Sequence, residues 1–377
     1  MDTCTVEFAR LTEGLGGLQC DGNPVVTLRS PLSLQSWTMP VIELLLVLGA
    51  LACLIHALRW RRTHGDNSNL VIWLSGVVCL LLIEPIAYFP QWFGLQQAMG
   101  LTFVHNAFSV QFLYDRLPLY IVAMYPAYAY LAWVLVQRTG IFRLYNPVVS
   151  ATAVAFVFHC LYEVIDHVGV QFRWWVWNED LPTSVPSLGV VPYVNLQAFS
   201  LGIPFGLALV TLLVCRRPGG GGWLLARDVA VVSVLVWPIQ AVFSVPALAI
   251  DVVADSMRTG RLTGTWLLIA AAAITTAIAF AGAYRARRTD PDLVPPGVDQ
   301  DYFALVCVVV YLVAAAVIWG AALPDYLAAN QGRTPQGAPV GALPYSVITF
   351  LLSIALTVGA YVGTTGRPAK TRIAASA

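Results

Sequence analysis

The sequence predicts an all-α polytopic membrane protein with about nine transmembrane helices, its N-terminus outside and its C-terminus in the cytoplasm. Three observations lead there. Of 377 residues, 58% are hydrophobic and only 11% are charged, against about 25% charged in ordinary soluble proteins. Mean hydropathy is +0.72, and the apolar residues lie in blocks of the roughly 20 residues a helix needs to cross the hydrocarbon core. The basic residues then fall in alternate loops.

In chain order the blocks are 38–58, 70–92, 117–137, 147–169, 190–215, 226–252, 264–284, 302–322 and 344–364. The segment at about 94–113 is broken by Gly, Gln, His and Asn, and reads as an interfacial or re-entrant piece. Before the first block there is no basic start of a secretory signal. After it come Arg59, Arg61 and Arg62 instead of a small-residue cleavage site, so it is expected to stay as the first span. One set of loops carries those arginines, Arg138/Arg143, Arg216/Arg217 and Arg285/Arg287/Arg288, and the tail carries Arg367, Lys370 and Arg372. The opposite loops carry Arg116, Arg173, Arg258/Arg261 and Arg333, diluted by Asp115, Glu179, Asp180, Asp255 and Asp325. The positive-inside rule then sets the orientation, in the plasma (cytoplasmic) membrane. The chain divides into a non-cytoplasmic tail at 1–37, a six-helix portion at 38–255, a three-helix apolar scaffold at 256–365 and a cytoplasmic tail at 366–377. The Gly-rich stretch at 216–222 reads as a flexible turn.

Several chemistries drop out. A net charge of +1 leaves no basic surface for nucleic acid. The only lysine is Lys370, in the tail, so no Schiff base forms within the membrane. The cysteines make no CxxC, which disfavours a zinc or iron–sulfur site. Cys4 and Cys20 can pair if their tail faces an oxidising side.

Charges in lipid are costly and by default mark function. The last three spans have none in their cores, whereas the first six hold Glu43, Glu84, His159, Glu163, Asp166, His167, Asp228 and Asp251. The densest set is His159-Cys-Leu-Tyr-Glu163-Val-Ile-Asp166-His167, whose spacings of four, three and four place it along one helical face. Glu beside His suits general acid–base work. Trp174, Trp175 and Trp177 read as an interfacial belt or as the wall of a site for a greasy substrate. Pro85 is expected to kink the second span beside Glu84, and Arg116 at the membrane edge is a natural partner for Glu84 or Glu163. Threading the topology puts Glu84, His105, Arg116, Glu163, His167, Asn195, Gln197, Gln240 and Asp251 on the outer half, consistent with one polar cavity. Glu43 and Asp228 read better as helix–helix glue or interfacial residues, and Gly202-xxx-Gly206 as a close-packing motif. A metal at His159/Glu163/His167 lacks multiple histidine boxes, and Asp251-xxx-Asp255 stands without a second acidic motif.

Glu84 near Tyr88-Phe89, then Arg116-Leu-Pro118-Leu-Tyr120, then Glu163 followed by Gly169 and an aromatic run ending at Trp177, resemble the avermectin-type spirocyclase family over roughly 70–200. The Gly-plus-aromatics stretch after an intramembrane Glu is also similar to membrane carotenoid hydratases. Either resemblance implies a small multi-pass enzyme doing proton chemistry on a hydrophobic polyketide or isoprenoid, with no redox cofactor. The expected function is therefore intramembrane cyclisation, isomerisation or hydration of a lipophilic small molecule. Glu163 is the expected principal acid or base, with Asp166 beside it, His159 or His167 tuning it, Glu84 as second carboxylate and Arg116 holding an oxyanion or orienting Glu84. Trp174, Trp175, Trp177, His105, Asn106, Tyr88, Tyr120, Asn195 and Gln240 are the expected substrate contacts. The alternative is a transporter or lipid-binding protein whose carboxylates carry protons or meet a head group.

Overall fold

The computed structural model describes residues 3–30, 36–215, 221–254 and 256–362. Arg216, Arg217, Asp255 and the tail cations Arg367, Lys370 and Arg372 lie outside the described residues. Among the described residues, nine helices are long and apolar enough to cross a membrane. They are α1 (Thr38–His64), α2 (Ser68–Tyr88), α3 (Leu119–Thr139), α4 (Pro147–Gln171), α5 (Tyr193–Val214), α6 (Gly222–Ala254), α7 (Met257–Thr289), α8 (Phe303–Leu327) and α9 (Leu343–Tyr361).

Sequence character sets the layering. α3 carries Tyr120, Tyr125, Tyr128, Tyr130 and Trp133, is apolar all round, and is buried on nearly every face. α4 is its neighbour at the centre, buried almost without interruption from Ser150 to Gln171. The outer helices are inverted relative to a soluble protein. Leu44, Leu48, Leu51 and Ile55 of α1 and Val306, Val309, Val310, Val313 and Val317 of α8 are exposed, at helical spacing, as lipid-facing stripes must be. Small residues let α5 and α6 approach closely: a Cβ on Gly206 would lie 2.8 Å from a Val236 methyl, and one on Gly202 3.0 Å from Gln240 Cγ.

Two helices depart from regularity. α2 continues through Pro85 to Tyr88, so the expected kink does not end it. α5 contains a π turn at Ala198–Gly202, closed by the Ile203 N–H donating to Ala198 O. The cause is Pro204, which has no N–H to give the Ser200 carbonyl and crowds it, so the backbone widens by one residue.

The segment at 94–113 does not cross. It forms a short helix at Gln96–Met99 and strands that join a cap over one end of the bundle. Strand β1 (Val26–Leu28) pairs antiparallel with β3 (Val110–Phe112), which pairs with β4 (Leu117–Pro118). Strand β2 (Phe103–His105) pairs with β5 (Trp175–Trp177), matching His105 with Trp175 and Phe103 with Trp177. The N-terminal tail belongs to this cap. Cys4 and Cys20 form a disulfide, Phe8, Leu11 and Leu15 pack on Leu101 and Val104, and Arg10 binds Asn178 at 2.6 Å and Asp180 at 2.9 Å.

The opposite end is clamped by arginine. Arg138, counted above among loop cations, is buried: it donates to the carbonyls of Val298, Asp301 and Asp299 and stacks on Tyr361, 3.8 Å from the ring centre. Arg287 joins Asp299 to the Arg138 carbonyl, and His56 holds Asp301 at 2.8 Å.

Candidate functional site

Helix α4 carries the predicted row, but the structure divides it. His159, Glu163 and His167 repeat every four residues and face α5 and α9. Asp166 lies on the edge of the same arc, about 60° from Glu163, and lines a cavity shared with α2, α3 and α5 that the other three do not line.

The first cluster is locked by neutral donors. Ser200 Oγ donates to Leu196 O at 2.8 Å, so toward His159 Nδ1 (2.7 Å) it accepts. The ring proton therefore sits on Nδ1, and Nε2 accepts from Tyr345 Oη at 2.6 Å. On His167 the Ala342 N–H donates to Nδ1 at 3.2 Å, which leaves the proton on Nε2, pointing at Glu163 Oε2 at 3.4 Å. Glu163 Oε1 is 3.6 Å from His159 Nδ1. Neither carboxylate oxygen of Glu163 makes a hydrogen bond to the described residues. Tyr345 comes from α9 and Trp266 of α7 packs edge-on against it, so two of the last three spans build this cluster as well as supporting the fold.

The second cluster surrounds a buried cavity of about 30 Å³ lined by Glu84, Phe103, His105, Ile121, Met124, Tyr125, Tyr162, Asp166, Trp175, Trp177, Asn195 and Phe199. That volume holds a water or two. Asp166 Oδ2 accepts from Asn195 Nδ2 at 2.7 Å. The Tyr88 hydroxyl lies 2.7 Å from His105 Nδ1, and Glu84, at the cavity wall, is its neighbour on α2. Close packing holds the wall: a Cβ on Gly169 would lie 2.3 Å from Trp175 Cζ2, so only glycine lets that indole reach the cavity.

His105 sits in the cap, and burial pushes its pKa from 6.5 down to about 3. The sign follows. Between those values the unfolded chain binds a proton that the folded chain refuses, so stability declines as pH falls below about 6.5. We expect the melting temperature in detergent to decline between pH 7 and pH 4, and His105→Gln to remove part of the decline. An identical acid slope in the variant would contradict the assignment.

Other expected contacts fall elsewhere. Arg116 meets neither Glu84 nor Glu163. It donates to the Thr3 carbonyl and lies 3.1 Å from the centre of the Phe8 ring, pinning the N-terminal tail. Burial pushes its pKa down to about 9, against the pull of nearby Tyr88 and Asp115, and it remains a cation at neutral pH. Its approach is set by Leu113, Tyr114 and Asp115, three successive non-glycine residues with φ of 55°, 54° and 61°, a strained turn. Trp174 turns away from the cavity, donating to Thr38 Oγ1 at 3.0 Å. Tyr120 donates to the carbonyls of Trp174 (2.7 Å) and Asn106 (3.0 Å), and Asn106 Nδ2 donates to Arg173 O, so this trio ties the cap together. Gln240 bonds Ser244 on α6, Asp251 packs on Gly260, and Gln197 does not line the cavity. Glu43 accepts from Ser109, and Asp228 pairs with Arg227 at 2.6 Å.

The residues that sequence reasoning missed are Phe103, Ile121, Met124, Tyr125, Tyr162 and Phe199 at the cavity, and Ser200 and Tyr345 at His159. One signal was present. Tyr345, Ser346, Thr349, Ser353 and Thr357 of α9 recur on one face, all buried, a polar stripe without a charge.

No protein-family model, curated protein or solved structure matches this chain.

Proposed function

We propose that the protein is an intramembrane acid–base enzyme acting on a lipophilic polyketide or isoprenoid, with Glu84 and Asp166 as its catalytic pair. One observation carries this: two carboxylates from different helices face one aromatic-walled cavity with no Arg or Lys in its lining, and Asp166 is held there by the neutral amide of Asn195. In such a pair one neutral carboxyl delivers a proton to an oxygen or an alkene carbon while the other, ionised, removes one. The protons balance, so isomerisation needs no co-reactant. Ring closure of the spiroketal kind releases one water, and hydration consumes one. The resemblance to avermectin-type spirocyclases over 70–200 supports cyclisation. Asn195 orients Asp166, and Trp175, Trp177 and Phe103 exclude bulk water. Glu163, His159 and His167 brace α4 against α5 and α9 beside the cavity.

The cavity is far smaller than the 300–1,000 Å³ usual for drug-sized ligands, so substrate must displace the side chains of Phe199 and Trp177. This narrowness favours a second reading, a transporter or lipid-binding protein in which the carboxylates hold water or protons. The arginine distribution and the Cys4–Cys20 disulfide on the capped side support an N-terminus outside and a plasma-membrane location.

Lipid extracts of cells lacking the protein, compared with cells carrying wild type or Asp166→Asn, test the assignment. The expected result is one lipophilic compound accumulating in both the deletion and the variant, equal in mass to the product or differing by one water. A variant matching wild type, or a compound that changes only its location, transfers the site to the second reading.

A further inference from the structure

A groove runs along the outside of the bundle between α1 and α8, floored by α3, and its two parts differ in chemistry. Near the arginine-clamped end it widens to a cavity of about 790 Å³ lined by Arg59, His56, Trp60, His64 and Phe303, among others. Toward mid-membrane it narrows to a cleft of about 480 Å³ whose walls are apolar, from Leu45 and Gly49 on α1 to Val306 and Val310 on α8. Ala52 lines both parts, so the groove is continuous.

We propose that this groove holds one phospholipid with an anionic headgroup, its phosphate at Arg59 and one acyl chain in the narrow cleft. Charge argues for the headgroup. Arg59 has no acidic partner among the described residues. The carboxylate that shares its cavity, Asp301, is already engaged: one oxygen takes His56 Nε2 at 2.8 Å and the other the Phe303 N–H at 2.9 Å. Arg59 is therefore left as an unpaired guanidinium in the cavity, the feature by which basic pockets between transmembrane helices take anionic lipids. Shape argues for the chain. A soluble anion has no use for a long apolar cleft, whereas an acyl chain buries its methylenes there. The indole of Trp60, stacked on His64 with ring centres 3.8 Å apart, marks the headgroup level.

Native mass spectrometry of the full chain, released from nanodiscs of phosphatidylcholine containing phosphatidylglycerol, reads the occupant directly. We expect one phosphatidylglycerol per chain, favoured over phosphatidylcholine by about fivefold, the contribution of a single interfacial cation. Arg59→Gln should erase the preference. Gly49→Phe should expel the lipid without disturbing the helix, because a Cβ there meets nothing within 4 Å. Equal retention of the two lipids by wild type, or unchanged retention in both variants, would overturn the site. So would displacement by glycerol 3-phosphate as effective as by phosphatidylglycerol, since the chain would then contribute nothing. Asp166→Asn protein should keep its lipid, which separates this inference from the catalytic reading.

Discussion

Asp166→Asn and Glu84→Gln should each lower turnover by about 10²–10⁴-fold, the range for removing a positioned acid or base. Both amides fit the same space. Asn195 can still meet residue 166, and Tyr88 can still meet residue 84, so the fold should survive and the loss should fall on the chemical step. Glu163→Gln provides the contrast. Its carboxylate makes no hydrogen bond to the described residues and lies outside the cavity, so its loss should cost less than about tenfold. Initial rates on one lipophilic substrate in detergent, with no gradient, decide the matter. If Glu163→Gln is the inactive variant and Asp166→Asn is not, the reaction belongs to the histidine cluster and the cavity is incidental.

The largest loss of stability is expected at the other end of the bundle. Arg138→Leu strands the buried carbonyl of Val298, leaves the part-buried carbonyls of Asp299 and Asp301 without their donor, and removes the cation over Tyr361. Hydrogen bonds from charged donors are individually worth about 1.5–3 kcal/mol, and breaking a buried charged contact costs about 3–5 kcal/mol. We expect a loss near the upper figure, with Arg138→Lys recovering only part of it, because an ammonium cannot reproduce the planar fork. Thermal unfolding in detergent measures this. A melting temperature within a degree or two of wild type would mean that the 298–301 turn is held by other contacts.

The spans were legible because crossing a bilayer is a matter of length and hydropathy, and both are properties of a linear string. Their ends were less so. The first block extends past 58 to His64, since Arg59, Arg61 and Arg62 stay helical while their charges reach water. The second stops at Tyr88, short of 92, because Phe89-Pro90 begins a tight turn. Faces were harder still. Helical spacing correctly aligns His159, Glu163 and His167, yet it does not say which helix each face meets, and that decides between Glu163 and Asp166. Cap residues such as Arg116 and Trp174 were misplaced for a related reason: their partners, Thr3, Phe8 and Thr38, are distant in sequence and none is acidic. A reading organised around charge also passed over the hydroxyls of α9.

The π turn in α5 makes that helix a phase shifter. Upstream of it, Asn195 is set toward Asp166; downstream, Gly206 is set toward Val236 of α6. The extra residue is what lets both alignments hold on one continuous rod. Winding the same residues as a regular α-helix, as Pro204→Ala would permit by restoring the missing N–H, would turn everything upstream by about 100° relative to everything downstream. Asn195 would then swing off Asp166, with every residue that lines the cavity still present in the chain. The alignment of the two carboxylates thus depends on a proline that touches neither of them.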